Sequence, residues 1–253
     1  MYTGDGEERT NGDAPISAHE FFVKLSQRII SILTLKTKEG FVFNVDARLR
    51  PSGSAGPLVA SSSALIAYHR EKTAVWERQA YLKARSVAGD KAAGEATLKE
   101  LFLVLYARPF TNDDAAQMLH IRQRMETEIA KEGTSVYNIK TGKGGVNDIE
   151  FLVQAMQLKH GANPGLRTPY TMKALKRLAK QGIINAADAV FLKEAYEFFR
   201  LLEKSQRIEF DRPEGRLIRD SEEVSALAKR LVFTGINPGN ALFESYLGYA
   251  VSV

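Results

Sequence analysis

Residues 41–57, F-V-F-N-V-D-A-R-L-R-P-S-G-S-A-G-P, gather side chains that could do chemistry at a phosphate. Phe41, Phe43, Val45, Ala47 and Leu49 are apolar, whereas Asn44, Asp46, Arg48 and Arg50 are polar. An alternation of period two predicts a β-strand with one face on a core. Asp46, Arg48 and Arg50 would then leave the other face about 6–7 Å apart. A carboxylate able to take a metal ion, two guanidiniums able to bind phosphate, and a turn at Ser52 and Gly53 suit a nucleotide site. The same residues suit an amphipathic strand whose polar face carries an Asp46–Arg48 ion pair. The turn glycines, likewise, could cradle phosphate or simply supply positive φ. Residue chemistry alone leaves both readings open.

Other candidates lie further along. Lys83 and Arg85 share one face of a short strand expected over Leu82–Val87, as possible phosphate contacts. Thr141–Gly145, T-G-K-G-G, lacks both the Ser/Thr after its lysine and the glycine spacing of a P-loop. Asn147-Asp-Ile-Glu150 reads as a capping box that opens a helix, with Asp148 and Glu150 complementing the helix dipole. Trp76 is expected in a core, and Glu77 and Arg78 in surface or interface ion pairs. His19, His69, His120 and His160 are dispersed without ligand spacing.

Several elements must position these residues. Residues 5–15 read as a polar loop. Ser17 and Glu20 form a capping box before a helix with Phe21, Phe22, Leu25, Ile29 and Leu33 on one face, and Ile16 and Phe21 are placed as its staple. Helices are expected from about Ser63 and Thr73. Beyond Lys91 strand signals nearly vanish. Caps at Thr111, Thr168 and Asn185 open further helices, Gly133 and Gly182 suit their ends, and residues 211–215 read as a turn. The expected fold class is α+β, mostly α, with a small α/β part over residues 1–90 and an all-helical bundle over 91–253.

The 253 residues are 44% hydrophobic and 26% charged, ordinary for a globular protein of one or two domains. A chain without cysteine excludes disulfide and thiolate chemistry and suits a reducing cytoplasm. No apolar run approaches the ~20 residues of a membrane span. The net charge of +5 comes from scattered lysines and arginines, so a nucleic-acid partner is disfavoured relative to nucleotide phosphates or an acidic protein surface.

Four stretches in order carry a family resemblance: F-F-V-K-L-S-Q-R-I-I from Phe21, V-D-A-R-L-R-P-S-G-S-A-G-P-L-V from Val45, W-E-R-Q-A-Y-L-K-A-R from Trp76, and I-K-T-G-K-G-G-V-N-D-I-E-F-L-V-Q from Ile139. They resemble the nucleotidyltransferase module of glutamine synthetase adenylyltransferases, which add AMP to glutamine synthetase and remove it. The resemblance covers about residues 16–210. It implies a polymerase-β-like nucleotidyltransferase domain, ATP as substrate, and two Mg²⁺ ions held by three carboxylates. Asp46 matches the third carboxylate. An Asp-x-Asp pair, the source of the other two, occurs nowhere in the chain. Met1–Gly6 resembles the exit of the family's Asp-x-Asp strand, so the resemblance implies an incomplete, inactive piece of the enzyme.

By the same resemblance, Arg48, Arg50, Ser52, Gly53, Lys83, Arg85, Asp148 and Glu150 would border the nucleotide. Glutamine synthetase and a PII-type signalling protein are the implied partners. R-L-R-P-S-G with G-G-V-N-D-I-E-F favours the adding half, whereas Phe-Val-Phe before Asn44 and Trp-Glu-Arg lean towards the removing half. A regulatory or docking module with a vestigial nucleotide fold is the alternative from another class.

Overall fold

In this computed structural model, residues 1–4, 6–40, 43–210 and 215–253 are described. The chain divides into two compact units, Met1–Arg108 and Pro109–Val253. The content is mostly helical, as expected, but the strands are distributed differently from expectation.

The first unit contains α1 (Ala18–Thr34), α2 (Ser62–Glu71), α3 (Val75–Tyr81) and α4 (Lys91–Ala107). Ser17 caps α1 by accepting the Glu20 N–H at 3.2 Å, as its local sequence predicts. No residue of α1 is buried. The Tyr2 ring stacks on Phe22 at 4.9 Å between centroids, and the Tyr2 backbone exchanges hydrogen bonds with Ala60 and Ser62. A small core of Leu65, Tyr81, Leu101 and Leu105 joins α2, α3 and α4. That packing keeps α4 with the preceding helices inside the first compact unit.

Neither strand expected in this unit forms. Phe41 and Val42 lie outside the described residues, and from Phe43 to Arg50 no residue joins a strand or bridge. The alternation is present, but a ladder needs a second strand, and none of the described residues supplies one. Leu82–Val87 instead begins as a turn, with the N–H groups of Lys83 and Ala84 donating to the carbonyls of Ala80 and Tyr81. Trp76 is 45% exposed while Glu77 and Arg78 are buried, the reverse of expectation. The helix turns its Val75–Arg78 side inward.

The second unit contains α5 (Asn112–Arg124), β1 (Val136–Asn138), α6 (Val146–Lys159), α7 (Thr171–Lys180), α8 (Ala186–Phe210), β2 (Arg216–Ile218), α9 (Glu222–Arg230) and α10 (Pro238–Ser252). The sheet is here: β1 and β2 pair antiparallel, with Tyr137 opposite Leu217. A contiguous core runs through α6 to α10, with Phe199, Leu202, Leu175, Leu242, Phe243 and Tyr246 essentially inaccessible. Thr111 and Asn185 cap α5 and α8, accepting the N–H groups of Asp114 and Asp188. α7 starts two residues after Pro169, with Tyr170 as its N-cap, and ends in a Schellman turn at Gly182, whose φ is +69°.

Two other helix ends differ from expectation. α5 passes into a π-helical turn over Met125–Ala130, and the left-handed residue that stops it is Lys131, not Gly133. α6 is capped at Gly145, not Asn147. Its first N–H groups, on Val146 and Asn147, already donate to the carbonyls of Ile139 and Lys140 at 2.9 and 3.0 Å. A side-chain cap therefore has nothing left to do there. The turn expected over residues 211–215 lies outside the described residues except for Gly215.

Candidate functional site

Asp46 is exposed on a segment that joins no strand and that turns just after it, where the Arg48 carbonyl accepts the Arg50 N–H at 2.9 Å. Both carboxylate oxygens are engaged by Arg48: Nε donates to Oδ1 and Oδ2 at 2.9 and 3.0 Å, Nη2 donates to Oδ2 at 2.6 Å, and the Arg48 N–H donates to Oδ1 at 3.0 Å. These hydrogen bonds hold the Asp46 carboxyl down at about 2, so it is ionised at neutral pH. Arg50 folds back, and its Nη1 donates to the Ala47 carbonyl. Ser52 and Gly53 follow in the left-handed region, with φ of 60° and 56°. Such a turn suits glycine and accounts for its presence without a ligand. The Tyr81 hydroxyl reaches the Leu49 carbonyl at 3.5 Å, which ties the end of α3 to this segment. Lys83 is half-buried just beyond it and Arg85 is exposed.

The fit of this segment to a pair of Mg²⁺ ions can be tested from its own atoms. Among the described residues, no group of three or more His, Cys, Asp or Glu side chains could hold a metal ion. Asp46 stands without a second carboxylate, and its oxygens face a guanidinium that repels cations. The residues present do not fit a two-metal centre.

Beneath the exposed segment, α3 carries polar groups that sequence reasoning placed outside. Glu77 accepts the Tyr68 hydroxyl at 3.0 Å and the Ala74 N–H at 2.9 Å. Arg78, wholly inaccessible, donates from Nε to the Leu105 carbonyl at 3.0 Å and from Nη2 to the Arg108 carbonyl at 2.7 Å. Arg78 therefore caps the C-terminus of α4, whose last carbonyls have no partners within the helix.

In the second unit, the loop between β1 and α6 is bolted down by side chains. Arg122, 4% exposed, donates to both oxygens of Asp148 at 2.8 and 2.5 Å and to the carbonyls of Thr141 and Gly142 at 3.0 and 2.5 Å. The Glu132 carboxylate accepts the N–H groups of Asn138 and Lys143, and Asn138 Oδ1 accepts those of Lys140 and Thr141. The glycines fit close approaches: a Cβ on Gly142 would strike Glu132, one on Gly144 the Ala250 carbonyl, and one on Gly145 the Ile139 carbonyl. The N–H groups of Lys140, Thr141, Gly142, Lys143 and Gly145, which a phosphate would need, are already taken by Asn138, Glu132 and Gly142. Asp148 thus forms a bidentate ion pair. Glu150 accepts the Tyr196 hydroxyl at 2.8 Å and lies 3.4 Å from the Thr171 hydroxyl. Burial, then the Glu150 charge, pushes the Tyr196 hydroxyl up to about 12.

Asp46, Arg48, Arg50, Ser52 and Gly53 lie in one short segment, which Tyr81 of α3 touches at Leu49, and Lys83 follows α3 in the same unit. Asp148 and Glu150 belong to the other unit and sit in separate networks. Sequence reasoning missed Arg122, Glu132, Asn138, Tyr196 and the role of Arg78. Arg122 left a readable signal, being a charge four residues after Met118 and therefore on the same face of α5 as that apolar residue.

Comparison with known proteins matches residues 1–100 to the family Glutamate-ammonia ligase adenylyltransferase and residues 116–250 to the family GlnD PII-uridylyltransferase. A Bifunctional glutamine synthetase adenylyltransferase/adenylyl-removing enzyme of Hahella chejuensis is 37% identical over 241 residues, covering 94% of this chain and 25% of the relative. Proteins of the same description from Pseudomonas putida and Stenotrophomonas maltophilia are each 40% identical, over 218 and 203 residues. These alignments cover 83% and 80% of this chain and 22% of each relative. The chain spans about a quarter of the length of the curated relatives it matches. With most of its length aligned at these identities, the chain belongs to the family of glutamine synthetase adenylyltransferases, a family of nucleotidyltransferases.

Proposed function

We propose that this chain supplies part of an enzyme that transfers AMP from ATP to a tyrosine hydroxyl of glutamine synthetase, in the cytoplasm. The observation that carries the reading is its likeness, at 37% and 40% identity over 94% and 83% of the chain, to enzymes named for that activity. In this reading residues 1–90 are an incomplete polymerase-β-like nucleotidyltransferase domain, and the helical part that follows docks glutamine synthetase and a PII-type signalling protein. Asp46 is the carboxylate at the reacting centre, and Arg48 orients it through the hydrogen bonds described above. Arg50, the Ser52–Gly53 turn, Lys83 and Arg85 face the triphosphate, where guanidinium forks and backbone N–H groups match its oxygens. Asp148 and Glu150 act within their own unit, where they fix the loop after β1 and the start of α6. With Asp46 the one carboxylate of the proposed centre among the described residues, the chain by itself does not catalyse transfer.

A chimera provides the test. Residues 16–210 replace the matching segment of the Pseudomonas putida relative, and label from ATP is followed onto glutamine synthetase with Mg²⁺ present. Transfer by the chimera, lost in its Asp46→Asn variant and absent from the 253-residue chain, supports the reading. Transfer that survives Asp46→Asn removes Asp46 from the reacting centre. Phe-Val-Phe before Asn44 and the Trp-Glu-Arg run favour a second reading, the adenylyl-removing reaction. The same chimera then releases label from adenylylated glutamine synthetase when phosphate is added. A folded chimera with neither activity leaves a docking module.

A further inference from the structure

Behind the turn that follows Asp46 lies a cluster of polar side chains with no part in the transfer reaction proposed above. From Arg48 to Gly56 the chain coils tightly. The Arg50 N–H donates to the Arg48 carbonyl at 2.9 Å, the Gly53 N–H donates to the Arg50 carbonyl at 2.8 Å, and a Cβ on Gly56 would strike the Pro51 carbonyl. These contacts are internal to the coil and leave its placement on the helices to side chains. Two phenols supply it. At the end of α3 the Tyr81 hydroxyl donates to the Leu49 carbonyl at 3.5 Å, and the buried His69 ring packs edge-on against the Tyr81 ring at 4.6 Å. On α2 the Tyr68 hydroxyl donates to Glu77 Oε1 at 3.0 Å, while Glu77 Oε2 accepts the Ala74 N–H at 2.9 Å. Burial and then Glu77 push the Tyr68 hydroxyl up, and a hydrogen bond from the Ser52 N–H works against them.

We propose that Tyr68 and Tyr81 are positioning residues for the turn over Leu49–Gly53, and that Glu77 orients Tyr68 for that task. A carboxylate accepts hydrogen bonds and donates none, so Glu77 commits the Tyr68 O–H to itself and leaves the phenol oxygen free to accept an N–H. Tyr81 works with the opposite polarity and donates to a carbonyl. One acceptor and one donor therefore hold the turn at Ser52 and at Leu49, on either side of Arg50 and Pro51. Glu77 is 3% exposed and both its oxygens are engaged, which fixes the support as well as the turn. Groups held by a packed and hydrogen-bonded shell keep a geometry that a surface loop by itself does not. The direction in which Arg50 and the left-handed Ser52–Gly53 pair face is set in this way. The consequence for catalysis rests on the AMP-transfer reading; the placement of the turn does not.

Hydrogen exchange along the 253-residue chain tests the placement without any activity. Tyr68→Phe and Tyr81→Phe keep the rings and remove only the hydroxyls. Each should speed exchange of the Arg50 and Gly53 N–H groups by roughly fivefold, the worth of one hydrogen bond, while Leu101 and Leu105 in α4 keep their rates. Glu77→Gln, whose amide can donate to the Tyr68 oxygen, should act on the turn as Tyr68→Phe does. In the chimera described above, both phenylalanine variants should raise the KM for ATP several-fold and leave the KM for glutamine synthetase unchanged. Turn exchange that neither phenylalanine variant alters overturns the proposal. So does an equal rise throughout α2, α3 and α4, which would make the tyrosines core packing alone, or an unchanged KM for ATP in an active chimera whose turn exchanges faster. Faster exchange confined to the turn, in a chimera inactive before either substitution, supports the placement and counts against the AMP-transfer reading instead.

Discussion

The two units use similar lengths of chain in opposite ways. In residues 109–253 the apolar residues converge on one continuous core, and the buried charges are matched, as Arg122 is by Asp148. In residues 1–108 a core of Leu65, Tyr81, Leu101 and Leu105 holds three helices, while α1 buries nothing and the Phe43–Leu49 segment joins no ladder among the described residues. Hydrophobic patterning is stronger in α1 than in α6, α8 or α10 of the second unit. Amphipathicity therefore records that a face is meant to be covered, without saying by what. The second unit covers its faces itself; the first presents them.

Core truncation should separate the units most sharply. Phe199→Ala, at a site of no exposure, should destabilise the second unit by about 3–5 kcal/mol. Ile29→Ala on α1, 48% exposed, should cost less than about 0.5 kcal/mol in the first. Hydrogen exchange resolved along the chain would read each unit separately. Equal losses from the two variants would erase the contrast.

The charged networks sharpen it next. Asp148→Ala leaves Arg122 buried without its carboxylate and should cost the second unit about 3 kcal/mol, at the lower end for such pairs because Asp148 keeps 28% exposure. Asp46→Ala, which removes an exposed partner of Arg48, should leave the denaturation midpoint of the first unit where it was. A comparable fall in both would mean that the exposed pair is structural.

Alkaline titration follows. The Tyr196 hydroxyl is raised from 10 to about 12, so the folded state holds its proton more tightly than the unfolded chain. The stability this gives is complete below pH 10 and is lost as pH rises towards 12. Tyr196→Phe should flatten that fall in the second unit, as measured by denaturation at stepped pH. Tyr81, also raised to about 12, should give the first unit a similar fall, which Tyr81→Phe removes. No change of slope in either variant would detach these tyrosines from alkaline unfolding.

A stabilising change is expected at Val232. It follows α9 with φ of 62°, a left-handed conformation that a β-branched residue adopts at a cost, and it is 78% exposed. Val232→Gly should stabilise the second unit by about 1 kcal/mol. A lower midpoint would show that the glycine's extra freedom when unfolded outweighs the relieved strain.

Legibility in the sequence followed the range of the interaction concerned. The caps at Ser17, Thr111 and Asn185 were readable because each oxygen and the N–H that it accepts lie three residues apart. The cap at Asn147 was misread because the carbonyls of Ile139 and Lys140 arrive through the fold of the preceding loop. In α3 the inward face was misjudged: Trp76 looked like core and Arg78 like surface. What draws Arg78 in is the end of α4, about thirty residues away, whose carbonyls need donors. Of the candidate site, the Asp46–Arg48 relation was readable from an i, i+2 spacing on extended chain. The Arg122–Asp148 clamp spans α5 and α6 and was not.

Sequence by itself determined the family, the mostly helical content, the alternation over 43–49 and the side of that segment carrying Asp46 and Arg48. These rest on residue order and on contacts within a few positions. Tertiary structure alone decided that the sheet lies between β1 and β2, that α4 joins the first unit, and that Asp148 and Glu150 serve buried networks. It also decided that the alternating segment stays unpaired. A strand's pattern specifies its two faces, but the ladder needs backbone partners from elsewhere, and among the described residues none is there to complete it.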